Sequence, residues 1–287
     1  MAVLRALAAR YEIVLAVVGL VLLGILITAA VGSGDDPSGP ESDGVIVHGD
    51  GLATSHTGYR LVADDLPSAT GKRMPVAFQI LNPSGRPQTE YLPYRTKPMH
   101  LLVLRDDTHA YQRVSPTLDG DTWRAEISVP DGGQYRIFTI FVPKGEPKDE
   151  HPTVLGAPFV VPGDTELVPM PEPRAEVEVG GVTVSRPDGA AQPPVDTPVT
   201  LRFRFTDDSG KPVDLEPYLG NYATIWAFNG MTLAAHDVQL TQQPGDPLPG
   251  GELSGTVEFD ERGEHRVFVE FQVDGEVHIA AFTVFAT

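Results

Sequence analysis

The sequence predicts an all-β protein: two tandem antiparallel β-sandwiches preceded by one N-terminal transmembrane helix. Three observations carry the prediction. The motif Asp131-Gly132-Gly133-Gln134-Tyr135-Arg136-Ile137-Phe138, followed by Phe141, recurs as Glu261-Arg262-Gly263-Glu264-His265-Arg266-Val267-Phe268, followed by Phe271. Recurrence over this length marks two copies of one structural unit. After residue 31 no segment sustains a helical apolar period, and short β-branched and aromatic runs are punctuated by Asp-Gly, Ser-Gly and Pro. Ahead of these runs lies one uncharged, almost wholly apolar stretch, Ile13 to Val31, relieved only by Gly19, Gly24 and Thr28.

That first stretch, within residues 1–31, makes a helix of about 28 Å, close to the hydrocarbon thickness of a bilayer. Arg5 and Arg10 precede it, and Asp35, Asp36, Glu41 and Asp43 follow. The positive-inside bias therefore keeps the N-terminus cytoplasmic and sends the rest outward, as a single-pass membrane protein with extracytoplasmic domains. The rival reading is a secreted protein cleaved near Ala30-Val31-Gly32. A signal core usually runs only about 7–15 residues, which favours a retained anchor.

Residues 32–44 (GSGDDPSGPESDG) hold no large apolar side chain and form a flexible tether. Residues 45–163 form the first repeat, 164–173 a proline-rich joint and 174–287 the second repeat. Ser84-Gly85-Arg86-Pro87 aligns with Ser209-Gly210-Lys211-Pro212 as a turn, and Pro93-Tyr94 with Pro217-Tyr218. Among strands, Met74–Phe78 aligns with Thr197–Leu201, His100–Leu104 with Tyr222–Trp226, and Ala157–Val161 with Ala280–Val284. About seven short strands in about 115 residues suits a sandwich. The acid-x-Gly-x-Tyr-x-aliphatic signature resembles the tyrosine corner of immunoglobulin-like sandwiches, with His265 replacing the tyrosine in the second copy. That resemblance implies a core position for Trp226. If Asp274-Gly275 is a two-residue turn, Phe271 faces His278, Val269 faces Ala280 and Val267 faces Phe282.

Composition narrows the function. With 21 basic and 39 acidic residues the formal charge is -18, which repels phosphate backbones and excludes nucleic acid as a natural partner. There are no cysteines, so thiol catalysis, disulfides and thiolate metal sites are ruled out. No Gly-x-Ser-x-Gly elbow or phosphate loop occurs. None of the eight histidines falls in a His-x-His, His-x-x-x-His or His-Glu-x-x-His pattern. Asp119-Gly120-Asp121 and Asp207-Asp208-Ser209-Gly210 read as hairpin turns rather than calcium loops. The insertion Lys144–Pro152 lengthens one hairpin loop of the first repeat.

Met99 and His100, with His109 and His236, are the candidate metal ligands, thioether and imidazole suiting copper. Adjacent strand residues point to opposite faces, however, so Met99 and His100 do not chelate together. The two repeats also resemble a tandem family of mostly uncharacterised actinobacterial secreted or membrane-anchored proteins. That family's pattern opens a strand with Met-His-Leu, matched by Met99-His100-Leu101, and adds a His-x-His-Pro element. Here the element reads Arg113-Val114-Ser115-Pro116, and Ala235-His236-Asp237-Val238 in the second copy, with Tyr222 at the expected strand histidine. The resemblance implies the scaffold and a vestigial metal centre. The sequence therefore points to a non-enzymatic, membrane-anchored envelope protein that binds a protein partner, with extracytoplasmic copper handling as the alternative.

Overall fold

A computed structural model describes residues 49–145, 152–189 and 191–287. The predicted membrane helix, the tether and residues 146–151, with His48 and His151, lie outside the described residues. Among the described residues no helix is long and apolar enough to cross a membrane. Apart from one 3₁₀ turn at Pro249–Gly251, the regular elements are strands, and every pairing is antiparallel.

The first ten strands are β1 (Ser55–His56), β2 (Tyr59–Asp65), β3 (Gly71–Leu81), β4 (Tyr91–Leu92), β5 (His100–Arg105), β6 (Tyr111–Val114), β7 (Thr117–Asp119), β8 (Thr122–Val129), β9 (Gly133–Pro143) and β10 (Thr153–Val161). They form two sheets, ordered β1-β2-β3-β8-β7 and β10-β9-β5-β6, with β4 alongside β9. Phe78, Leu101, Val103, Trp123, Ile137 and Phe141 fill the space between them. The other eight strands are β11 (Glu176–Val179), β12 (Val182–Ser185), β13 (Val199–Thr206), β14 (Ala223–Asn229), β15 (Ala235–Leu240), β16 (Glu252–Val257), β17 (Gly263–Val273) and β18 (Glu276–Ala286). These make one continuous sheet, β11-β12-β13-β16-β15-β14-β17-β18. It folds over a core containing Phe203, Phe205, Ile225, Val267, Phe271 and Phe282. Strand β15 spans both halves, pairing β14 at Ala235–Val238 and β16 at Gln239 and Leu240.

The repeated motif explains its own turn. Gly133 (φ 132°) and Gly263 (φ 118°) adopt a backbone conformation that side-chain-bearing residues avoid. Two residues on, Tyr135 donates its hydroxyl to the Asp131 carbonyl at 3.0 Å, the expected corner bond. His265 lacks that reach and instead meets the Gly263 carbonyl through Nδ1 at 3.1 Å. The last hairpin has the expected register, Val267 with Phe282, Val269 with Ala280 and Phe271 with His278. Its turn residues Asp274 (φ 53°) and Gly275 (φ 78°) are both left-handed, as a two-residue hairpin loop requires.

The strand equivalences need correcting. Val103 pairs with Ile137 and Ala227 with Val267, so His100 is equivalent to Thr224 rather than Tyr222. The bridges Leu81–Pro87 and Thr206–Pro212 make Phe78 equivalent to Phe203, not Leu201. Ala157 opposes Ile137 as Phe282 opposes Val267, so Ala157 matches Phe282, not Ala280. Each strand match slips by two residues while the turn matches hold. A two-residue slip leaves the inward and outward alternation intact, so apolar pattern alone is blind to it.

Strands β5, β9, β14 and β17 are buried on both faces. Their second faces meet each other. Leu102, Leu104, Phe138 and Ile140 of the first repeat pack against Trp226, Phe228, Leu233 and Phe268 of the second. Trp226 is therefore an aromatic of this inter-repeat layer, not of its own sandwich core, because β14 turns odd-numbered residues inward and even-numbered ones toward the neighbouring repeat.

Candidate functional site

The predicted metal ligands do not converge. Met99 is buried in the core of the first sandwich. His100, on the opposite face, is fully buried, with Nε2 at 2.8 Å from the Tyr94 carbonyl and its ring edge-on to Tyr94. Burial, followed by the nearby Arg113 guanidinium, lowers its pKa to about 3. His109 sits in the β5–β6 loop between the carboxylates of Asp107 (2.8 Å) and Asp131 (3.2 Å). His236 lies against Phe259 and His265 in the second repeat. Among the described residues no group of three or more His, Asp or Glu side chains is placed to hold a metal ion.

Two buried polar clusters flank the inter-repeat layer. In one, Glu270 accepts Arg113 Nε on both oxygens at 2.9 Å, the Tyr111 hydroxyl at 2.5 Å and the Tyr218 hydroxyl at 3.2 Å. Arg113 also donates to Thr224 at 3.1 Å. Burial raises the Tyr218 pKa to about 12, with the Glu270 carboxylate adding to it, so the phenol stays a donor. In the other, Asp237 accepts the Tyr94 hydroxyl at 2.5 Å and Arg95 at 2.6 Å. Arg113 and Asp237 occupy equivalent places, since Leu102 pairs with Arg113 as Trp226 pairs with Asp237. Each meets the neighbourhood of the other repeat's equivalent turn tyrosine, Tyr218 or Tyr94. The contact is thus built like an isologous dimer interface whose central charge is reversed between the two halves. Charges of opposite sign suit this pairing and oppose pairing of like repeats.

The joint is strapped across both repeats rather than left loose. Glu166 accepts Arg105 through its carbonyl at 3.1 Å, Val168 N–H donates to Asp107 at 2.9 Å, and the Pro171 carbonyl accepts Thr283 at 2.6 Å. Beside it opens a groove of about 460 Å³ lined by Asp106, Asp107, Leu167, Val168, Met170, Met231, Glu264 and Phe285 among others. Seven large apolar side chains are exposed among the described residues, and four of them line this groove: Leu167, Val168, Met231 (94% exposed) and Phe285. Asp106 Oδ1 is buried there without a partner. Burial, and then the adjacent Asp107 charge, raises the Asp106 pKa. An isolated apolar side chain at a surface is ordinary, but four around one groove form a patch of the kind that marks contact sites.

Sequence reading missed this groove because its lining comes from five distant segments. The lone cue was the joint, where Leu167, Val168 and Met170 stand among prolines and acids with no strand pattern to bury them. It also passed over His265 as His236's neighbour, since strand spacing says nothing about contacts between β15 and β17.

No curated protein matches the chain. Among solved structures, the Escherichia coli adhesin FdeC aligns over 80% of this chain and 64% of its own, at 15% identity and a TM-score of 0.26. Invasin, a bacterial integrin-binding protein, aligns over 80% of this chain and 38% of its own, at 13% identity and a TM-score of 0.26. Domains 4 and 5 of the S-layer protein SbsC align over 80% and 97% respectively, at 11% identity and a TM-score of 0.25. The chain thus spans less than two thirds of FdeC and of invasin, and likeness of this extent assigns it no ligand. The family is fixed by the sequence itself: residues 54–154 and again 177–287 match the domain of unknown function DUF8832, and the chain belongs to that family as a tandem of two repeats.

Proposed function

We propose that the chain is a non-enzymatic binding protein of the cell envelope, anchored in the membrane by residues 1–31. Its two repeats, 45–163 and 174–287, would be displayed outside the cytoplasm. The bound partner is a protein segment that presents large apolar side chains flanked by Lys or Arg. The observation that carries the reading is the groove beside the joint. Leu167, Val168, Met231 and Phe285 offer apolar contact, while Asp106, Asp107 and Glu264 lie at the same place. An arriving cation would give the orphaned Asp106 oxygen the donor it lacks, and the charge of -18 steers such a segment inward. The buried inter-repeat layer supports presentation by one rigid body, which lowers the ordering cost of binding.

Photo-crosslinking in intact cells tests this. A benzophenone amino acid replaces Met231 in the full-length chain, and another replaces Asp121 on the far hairpin as control. The expected result is one discrete adduct from position 231, absent from position 121 and lost on adding Phe285→Asp. Equal labelling from both positions, or no adduct from 231, overturns the groove assignment. Release of the chain by alkaline carbonate, or resistance to protease added outside the cytoplasmic membrane, overturns the anchored, outward-facing placement.

A further inference from the structure

We propose that His236 and His265 form a two-imidazole site for Cu(I) at the edge of the second sandwich core. The site is distinct from the groove and does not depend on it. His265 is fully buried and His236 is 7% exposed, and the Nε2 atom of each is buried without a hydrogen-bond partner. Native interiors seldom leave such groups unpaired, so two in contact call for a shared explanation.

The other ring nitrogen of His265 is already committed, lying 3.1 Å from the Gly263 carbonyl. A carbonyl accepts only from N–H, so the proton of His265 is held on Nδ1 and its lone pair is left on Nε2. This is how the outer shell of a metal site fixes the tautomer of a ligating histidine. Burial also keeps both rings neutral at pH 7, the form that ligates.

The ring centroids are 5.6 Å apart at an interplanar angle of 62°. With a metal–nitrogen bond of about 2.0 Å each ring centroid lies about 3.1 Å from the ion, so two imidazoles in line need about 6.3 Å between centroids, which these rings reach by parting by less than about 1 Å. Phe259 packs on both rings, at 4.6 Å from His265 and 5.8 Å from His236, and shields the space between. The carboxylates of Asp260, Asp50 and Glu261 act on His236, and Glu261 acts on His265, so the local field favours a cation.

Ligand number selects the ion. Zn(II) takes four ligands and Ca(II) six or more oxygens, and no third His, Asp or Glu ligand joins the pair among the described residues. The closed-shell Cu(I) ion is satisfied by two nitrogens in a line, and imidazole is a copper donor, though a harder one than thiolate or thioether. Met99 and His100 take no part. His100 Nε2 is used by the Tyr94 carbonyl, and Met99 lies in the other sandwich core.

The test is an anaerobic titration of the full-length chain in detergent with Cu(I) delivered from its bicinchoninate complex, and Zn(II) run in parallel. The expected result is one Cu(I) withdrawn per chain with a dissociation constant below about 1 μM. X-ray absorption should give two nitrogen neighbours and no sulfur. His236→Gln and His265→Gln should each weaken binding by at least about 100-fold, while His100→Gln leaves it unchanged. Retention of the copper by the chelator overturns the proposal, as do wild-type affinity in both variants or a sulfur neighbour. Far-ultraviolet circular dichroism checks the folding of each variant. If His265→Gln fails to fold, His236→Gln, on the less buried ring, decides alone.

Discussion

Removing the Arg113 guanidinium tests whether the two repeats are joined by chemistry or merely lie side by side. Glu270 is 1% exposed and Arg113 5% exposed at the side chain. The carboxylate takes two hydrogen bonds from Arg113 and one each from Tyr111 and Tyr218. In Arg113→Met the hydroxyls remain, but no positive charge is left to offset a desolvated anion in a chain already at -18. Breaking one side of a buried ion pair costs about 3–5 kcal/mol. Adding Glu270→Gln removes the stranded charge and keeps an acceptor for the two tyrosines. The double variant should therefore return to within about 1–2 kcal/mol of the parent, a strong coupling in a double-mutant cycle. Urea unfolding of the full-length chain reads this through Trp226, in the inter-repeat layer, and Trp123, in the first core, each isolated by changing the other to Phe. In the parent both probes should move together. A loss below about 1 kcal/mol in Arg113→Met, no recovery in the double variant, or separate parental transitions would refute a welded pair.

Acid should loosen the fold through its buried histidines. His265 titrates near 4 in the folded chain, because of burial first and the neighbouring His236 second, and His100 near 3. Both lie below the unfolded value of about 6.5. The unfolded chain therefore binds more protons in that window, and stability present above pH 6.5 is lost on acidification toward 4 for His265 and 3 for His100. The His265 share is about 3 kcal/mol. Urea midpoints at pH 7 and pH 4.5 should show the fall, with a shallower slope in His100→Gln, and equal midpoints would contradict it. Tyr135→Phe deletes the corner hydrogen bond to Asp131 with little change in packing and should cost about 1 kcal/mol. The matching His265→Phe leaves the Gly263 carbonyl unpaired in a turn that was never tyrosine-braced. Its loss, measured by thermal unfolding, should at least equal that of Tyr135→Phe.

The sequence by itself determined the all-β class, the duplication, the turns and the last hairpin's register. Each rests on short-range physics. Gly133 and Gly263 sit where the backbone φ excludes other residues, Asp274-Gly275 suits a two-residue loop, and residue-by-residue alternation sets which side of a strand faces a core. The same alternation concealed the two-residue slips, since a shift by one full period changes no face. Tertiary structure alone decided the rest. The run Leu101–Leu104 is apolar at consecutive positions, and Ile137–Val142 is so apart from Thr139, which tells that both faces are covered but not by what. Only the packed chain shows that the cover is the other repeat, that Arg113 meets Glu270 across 157 residues, and that His236 meets His265. Such contacts depend on how sheets are laid against each other, a property of the whole chain that no local pattern records.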